Sequence, residues 1–223
     1  MSLRIVSATR LHAPAFADSP LGSSLRRIAK DRRLAPQIAM ANTRGLPEVY
    51  NEAIATADAA DTLVFVHDDV WLDDFYFADR VLEGLRVFDI LGVAGNSRRQ
   101  PGQESWAFAP DQAKLDLPHL RGAIAHGGEP LGKVGFYGPI IGECELLDGV
   151  FLAAHARTLH QHQVQFDPRF SFHFYDLDFC RTARARGLKL GTWPIAMTHR
   201  SAGNPQDPVW REARDGYFAK WGD

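Results

Sequence analysis

The segment Thr62-Leu-Val-Phe-Val-His-Asp-Asp-Val-Trp-Leu72 constrains this chain more than any other. A nearly continuous apolar run is the mark of a strand buried on both faces, as in a parallel sheet covered by helices. The run is interrupted by His67, Asp68 and Asp69 and then resumes. Read as one strand, it puts His67 and Asp69 on one face and Asp68 on the other, because side chains alternate. The carboxyl ends of parallel strands are where open α/β sheets bind ligands. A hard divalent cation there takes one or two carboxylates and completes its shell with water and substrate phosphate. The plainer alternative is that the aspartates cap a loop and His67 is a core histidine with its hydrogen bonds met.

The flanking sequence predicts alternating strands and helices. Residues 3–9 and 90–96 read as strands, and 36–42 is a second short apolar run. Residues 22–31 read as a helix with Ser23 or Ser24 at its N-cap. A helix over 47–58 starts on Pro47, and Asp73 or Asp74 caps the next. This order argues for βαβ units, hence an α/β fold with a mixed, mostly parallel sheet flanked by helices. Residues 97–142 are rich in Gly and Pro and break the rhythm; such long loops usually carry function, and short strands are expected within. Beyond them, 143–159 reads as strand, turn at Asp148-Gly149, strand and helix. Residues 167–187 hold a helix ending at Gly187, and 188–201 a final strand pair. The expected organisation is one domain over 1–201 with an aromatic helical tail, 202–223, packed on it.

Composition excludes some functions. The formal net charge of −2 over 223 residues leaves no electrostatic footprint for nucleic acid. Cys144 and Cys180 lie far apart without CxxC spacing, which fits a reducing compartment. The start lacks an apolar signal-peptide core, and no stretch has the length of a membrane span. The expectation is a cytoplasmic protein that meets a membrane only through a partner.

Two further stretches carry chemistry. Asp176 stands where a helix begins, so the macrodipole favours its ionised form, the form a general base needs; an ordinary helix cap is the alternative. Asp178, two residues on, cannot share that face, and Arg181 one turn later is its natural ion-pair partner. His199 ends an apolar strand as either a ligand or a structural group, with Arg200 following. His160 and His162 read as part of a solvated loop.

Taken together, "FVHDDV", "LLDGVFLAAHARTL" and "FDPRFSFHFYDLDFCRTARARGLKLGTWPIAMTH" resemble the family-2-like nucleotide-sugar glycosyltransferases of the GT-A fold. The nearest resemblance is to a bacterial subgroup similar to the streptomycin-cluster glycosyltransferase-like proteins. It spans roughly residues 3–201, with the specific matches in 62–72 and 147–199. The resemblance implies that Asp69 is the metal-binding last aspartate of a D-x-D motif and that His67 replaces its first. It implies that His199 touches metal or diphosphate and that Asp176 activates the acceptor hydroxyl. Thr9, Arg10 and Asn42 would lie beside the nucleotide base, Asp68 with the donor-binding residues, and Gly149 beneath the donor sugar. His67, Tyr175 in place of a glutamate, and the opening "RIVSATR" depart from the pattern. The resemblance implies a divalent cation as cofactor, and because imidazole suits transition metals Mn²⁺ is favoured over Mg²⁺. The implied activity is metal-assisted, inverting sugar transfer from a nucleoside-diphosphate sugar to a carbohydrate or other hydroxyl acceptor, as in polysaccharide biosynthesis. Trp106, Phe108 and Tyr137 are the candidate acceptor surface and lid. The rivals are a non-catalytic sugar-nucleotide or carbohydrate-binding protein of the same fold, a metal-dependent phosphohydrolase, and a structural partner. That partner would form a homo-oligomer through Trp210, Tyr217, Phe218 and Trp221.

Overall fold

The chain runs β1 (Leu3–Ala8), α1 (Ala13–Ala17), α2 (Pro20–Arg27), β2 (Leu34–Ala39), α3 (Leu46–Thr56), β3 (Thr62–Val66), β4 (Val70–Leu72), α4 (Phe77–Gly84), β5 (Ile90–Gly92) and β6 (Ala94–Asn96). It continues with β7 (Leu120–His126), β8 (Lys133–Phe136), β9 (Gly142–Cys144), β10 (Leu146–Leu147), β11 (Phe151–His155), α5 (Ala156–Gln161), α6 (Tyr175–Ala185), β12 (Leu190–Thr192), β13 (Met197–His199) and α7 (Pro208–Trp221). This is a computed structural model, and it describes residues 2–110, 114–201 and 208–223.

Two sheets organise these elements. The larger has seven strands in the order β2-β1-β3-β11-β5-β12-β9. β1 is parallel to β2 and β3, whereas β11 runs antiparallel to β3 and β5. The smaller sheet has six strands, β10-β6-β7-β13-β4 with β8 on β7. Every residue of β3 is buried, because its alternate side chains enter two cores. Leu63 and Phe65 join one core with Tyr50 and Phe166; Val64 and Val66 join the other with Phe77 and Phe151. Each such side chain contributes about 1.5–3 kcal/mol by leaving water.

Several expectations need correction. Thr62–Leu72 is not one strand: β3 ends at Val66, a turn holds Asp68 and Asp69, and β4 belongs to the smaller sheet. Residues 90–96 divide in the same way at Val93. The first break coincides with the polar residues 67–69, whereas apolar character continues through Val93, where the cause lies in the sheet pairing. The α2 N-cap is Ser19, whose hydroxyl accepts the Gly22 N–H with Pro20 following; Ser23 and Ser24 instead donate to the Pro20 carbonyl. Neither Asp73 nor Asp74 caps α4: Asp73 accepts from Thr198, and Asp74 from the Tyr76 N–H before the helix. His160 lies in α5 and contacts the Ile54 carbonyl at 2.8 Å, rather than standing in a loop.

The 97–142 segment contains β7 and β8, and the buried Asp116 pins it by accepting from Asn96 and Arg98. In the tail, α7 buries Tyr217 completely and packs Trp210, Phe218 and Trp221 against the core. Asp178 and Arg181 do not pair with each other. Asp178 is fully buried and meets Lys220 at 2.7 Å, while Arg181 meets Asp223 at 2.5 Å. Lys220 in α7 and Asp223 just beyond it give each a partner of opposite charge from the C-terminal segment.

Candidate functional site

The site follows from strand direction. β1 and β3 are parallel, so Thr9–Leu11 and His67–Asp69 leave the sheet at the same edge. β11 is antiparallel to β3 with Phe151 opposite Val66, which brings Asp148 and Gly149 back to that edge. β13 pairs with β4, His199 opposite Val70, and delivers His199 beside the turn. The turn is held by backbone bonds from three directions: the N–H groups of Leu21 and Arg200 donate to the Asp68 and Asp69 carbonyls, and that of His67 to Val150.

His67, Asp69 and His199 form the first group. Their ligand atoms all lie within 4.8 Å of one another, and each residue is partly accessible. His199 Nε2 is 3.3 Å from Asp69 Oδ1, and Ser201 Oγ donates to Asp69 Oδ2 at 2.7 Å. Burial opposes ionisation of Asp69, but His199 and Ser201 outweigh it and hold the carboxyl well below its usual range. Burial likewise opposes the charge on His199, and Asp69 reverses that, raising its pKa. Burial pushes His67 down, against the pull of Asp69. The His67 ring stacks on Phe172, with centroids 6.1 Å apart. Two imidazoles and one carboxylate are a donor set suited to a transition-metal ion, with positions left for oxygen ligands of a substrate. The residues present therefore fit a divalent cation.

Asp176 heads the second group. Its Oδ2 accepts the Gly149 N–H and its Oδ1 the Leu177 N–H, both at 2.9 Å. Burial and the neighbouring Asp148 raise its pKa to about 6, against those two backbone bonds. Burial thus outweighs the backbone N–H groups at the helix start. Asp176 is also not the cap: α6 opens on Phe174, which has left-handed backbone at φ 63° and no side-chain cap. Such a conformation in a bulky residue needs support from its surroundings; here Trp210 and Tyr217 pack on the Phe174 ring. Tyr175 joins the two groups, with its hydroxyl 2.8 Å from both His67 Nε2 and the Gly149 carbonyl. A Cβ on Gly149 would run into that hydroxyl and lie 2.8 Å from the Asp176 Cβ.

A cavity of about 240 Å³ opens beside the turn, lined by Leu11, Asp18, Ser19, Asp68, Asp69 and Arg200 among others. Thr9 itself is buried, and its hydroxyl accepts the Leu11 N–H. Arg10 is exposed. Asn42 donates its N–H to the Thr9 carbonyl and turns its side chain onto Arg44. Trp106 and Tyr137 pack edge to face at 5.1 Å, and Phe108 is partly exposed. Sequence reasoning missed the linking role of Tyr175, the ring of Phe172 over His67, and Ser201. Only the cluster "FSFHFYD", dense in rings around one histidine, signalled any of them.

No protein-family model matches the sequence, and no curated protein does. Among solved structures, GalNAc-T7 with UDP, GalNAc and Mn²⁺ superposes with a TM-score of 0.50 at 10% identity, over 96% of this chain and 47% of that one. The P. calidifontis mannosyltransferase PcManGT, with GDP-Man and Mn²⁺, gives 0.48 at 15% identity, over 98% and 63%. S. aureus TarS 1-349 gives 0.45 at 12% identity, over 98% and 72%. This chain thus spans less than half of the GalNAc-T7 chain. The fold is α/β with mixed sheets flanked by helices, as in GT-A glycosyltransferases.

Proposed function

We propose that this chain is a glycosyltransferase that moves a sugar from a nucleoside-diphosphate sugar to an acceptor hydroxyl, with inversion at the transferred carbon. The observation that carries the reading is the meeting of His67, Asp69 and His199 with the Gly149–Asp176 pair at one sheet edge. His67, Asp69 and His199 hold a divalent cation, Mn²⁺ in preference to Mg²⁺ on the two imidazoles. Such a cation supplies charge stabilisation to the departing diphosphate. The cavity flanked by Leu11, Asp68 and Arg200 takes the nucleotide. Asp176, near pKa 6, is ionised at neutral pH yet basic enough to accept the acceptor's proton. Gly149 lets Tyr175 and Asp176 close against the turn, where any Cβ would collide with both. Phe172, exposed beside His67, joins Trp106, Phe108 and Tyr137 as ring surface for a sugar. The free thiols of Cys144 and Cys180 are consistent with the cytoplasm, and among the described residues no helix is long and apolar enough to cross a membrane.

A second reading is a binding protein of the same fold. It is favoured by one observation: both Asp176 oxygens already accept backbone N–H groups. One screen tests the shared premise. Melting is followed with UDP-, GDP- and dTDP-sugars, each with and without Mn²⁺. A ligand at a hundredfold its Kd raises the melting temperature by roughly 5–10 °C. A flat response to every pair removes both readings, and binding without transfer to any acceptor leaves the second.

A further inference from the structure

We propose that Tyr175 is a positioning residue that fixes the tautomer of His67, leaving Nδ1 as the only ring nitrogen able to accept a cation while their contact stands. Its consequence for metal binding rests on the cation site proposed above; the tautomer belongs to the chain alone.

The protons available to the three groups decide the tautomer. A tyrosine hydroxyl has one proton to give and can accept others. That of Tyr175 lies 2.8 Å from the Gly149 carbonyl and 2.8 Å from His67 Nε2. A carbonyl has no proton, so the first contact is a hydrogen bond only if Tyr175 donates it. With that proton spent, the second contact is a bond only if His67 Nε2 carries its own. The reverse allocation sets two oxygens 2.8 Å apart with no proton between them, beside a buried glycine. A ligating imidazole is neutral, so a proton on Nε2 leaves the lone pair on Nδ1. Most metal-bound histidines are oriented in this way by a partner on the second nitrogen. The Gly149 peptide unit also donates its N–H to Asp176, so one glycine secures the metal arm and the proton-accepting arm together. His126 offers a contrast, since its Nε2 lies 3.4 Å from the Tyr137 hydroxyl, too long to impose a tautomer firmly.

The test is long-range ¹H–¹⁵N NMR of the metal-free, histidine-labelled protein at pH 8, paired with calorimetric titration by Mn²⁺. The wild-type spectrum is expected to show His67 protonated on Nε2. Tyr175→Phe is expected to give mixed tautomers and about 10- to 100-fold weaker Mn²⁺ binding, while Tyr137→Phe changes neither. A wild-type His67 protonated on Nδ1 overturns the proposal, as does undiminished Mn²⁺ affinity in Tyr175→Phe. If that variant fails to fold, the wild-type spectrum decides. A wild-type protein that ignores Mn²⁺ brings down the metal assignment instead, and the spectrum still judges the tautomer.

Discussion

Asp176 and Asp178 stand two residues apart on the first turns of α6 and have opposite surroundings. Asp178 points into the core and meets the Lys220 ammonium and the Trp221 indole N–H. Asp176 meets backbone N–H groups and another carboxylate, Asp148, and among the described residues no cationic side chain pairs with it. Burial raises the pKa of both. One carboxylate is neutralised by a partner that fastens the tail; the other is left with its basicity intact. The pair teaches that residue type and helix position do not assign the role. The charge of the neighbour does.

The largest expected effect comes from Asp176→Asn. Turnover falls at least about 100-fold in a sugar-transfer assay, while calorimetry shows donor binding unchanged. The mirror change is Lys220→Met, which leaves Asp178 buried without its cation. Breaking a buried pair costs about 3–5 kcal/mol. Because the Lys220 side chain is 23% exposed, the expected loss is nearer 2–3 kcal/mol, read from urea unfolding. Turnover per folded molecule is expected to hold. Variants that exchanged these outcomes would break the contrast.

A pH series sharpens it. The folded-state pKa of Asp176, about 6, lies above its ordinary 3.8. The folded form therefore binds the proton more tightly, and this contribution to stability is full below about pH 4 and lost as pH rises through about 6. Its size is on the order of 2–3 kcal/mol, and Asp176→Asn flattens the curve across that window. Activity runs the other way, with kcat/KM rising through the same pKa as the base ionises. The smallest effect is that of Trp221→Phe, which keeps one aromatic ring and removes the bond to Asp178. About 1 kcal/mol of stability is lost, with turnover untouched.

Much of this was legible in the sequence. The apolar run to Val66, the acidic residues after it, the turn at Asp148-Gly149 and the glycine ending α6 each announced an element, since periodicity and turn chemistry act over a few residues. Strand alternation aligns His67 with Asp69 in the sequence, whereas in the fold a tight turn between two sheets brings them together. Helix spacing pairs Asp178 with Arg181, whereas the folded chain gives Asp178 to Lys220 of α7 and Arg181 to Asp223 beyond it, both far away in sequence.

By itself, then, the sequence marked the apolar runs, the turns between them and the titratable side chains near those turns, because burial pattern and residue type are local properties. The tertiary structure decided that β3 and β4 part into different sheets, that Asp176 titrates near 6, and that Tyr175 reaches His67 across 108 residues of chain. Those facts depend on desolvation and on contacts between segments far apart in sequence, and no window of neighbouring residues contains them.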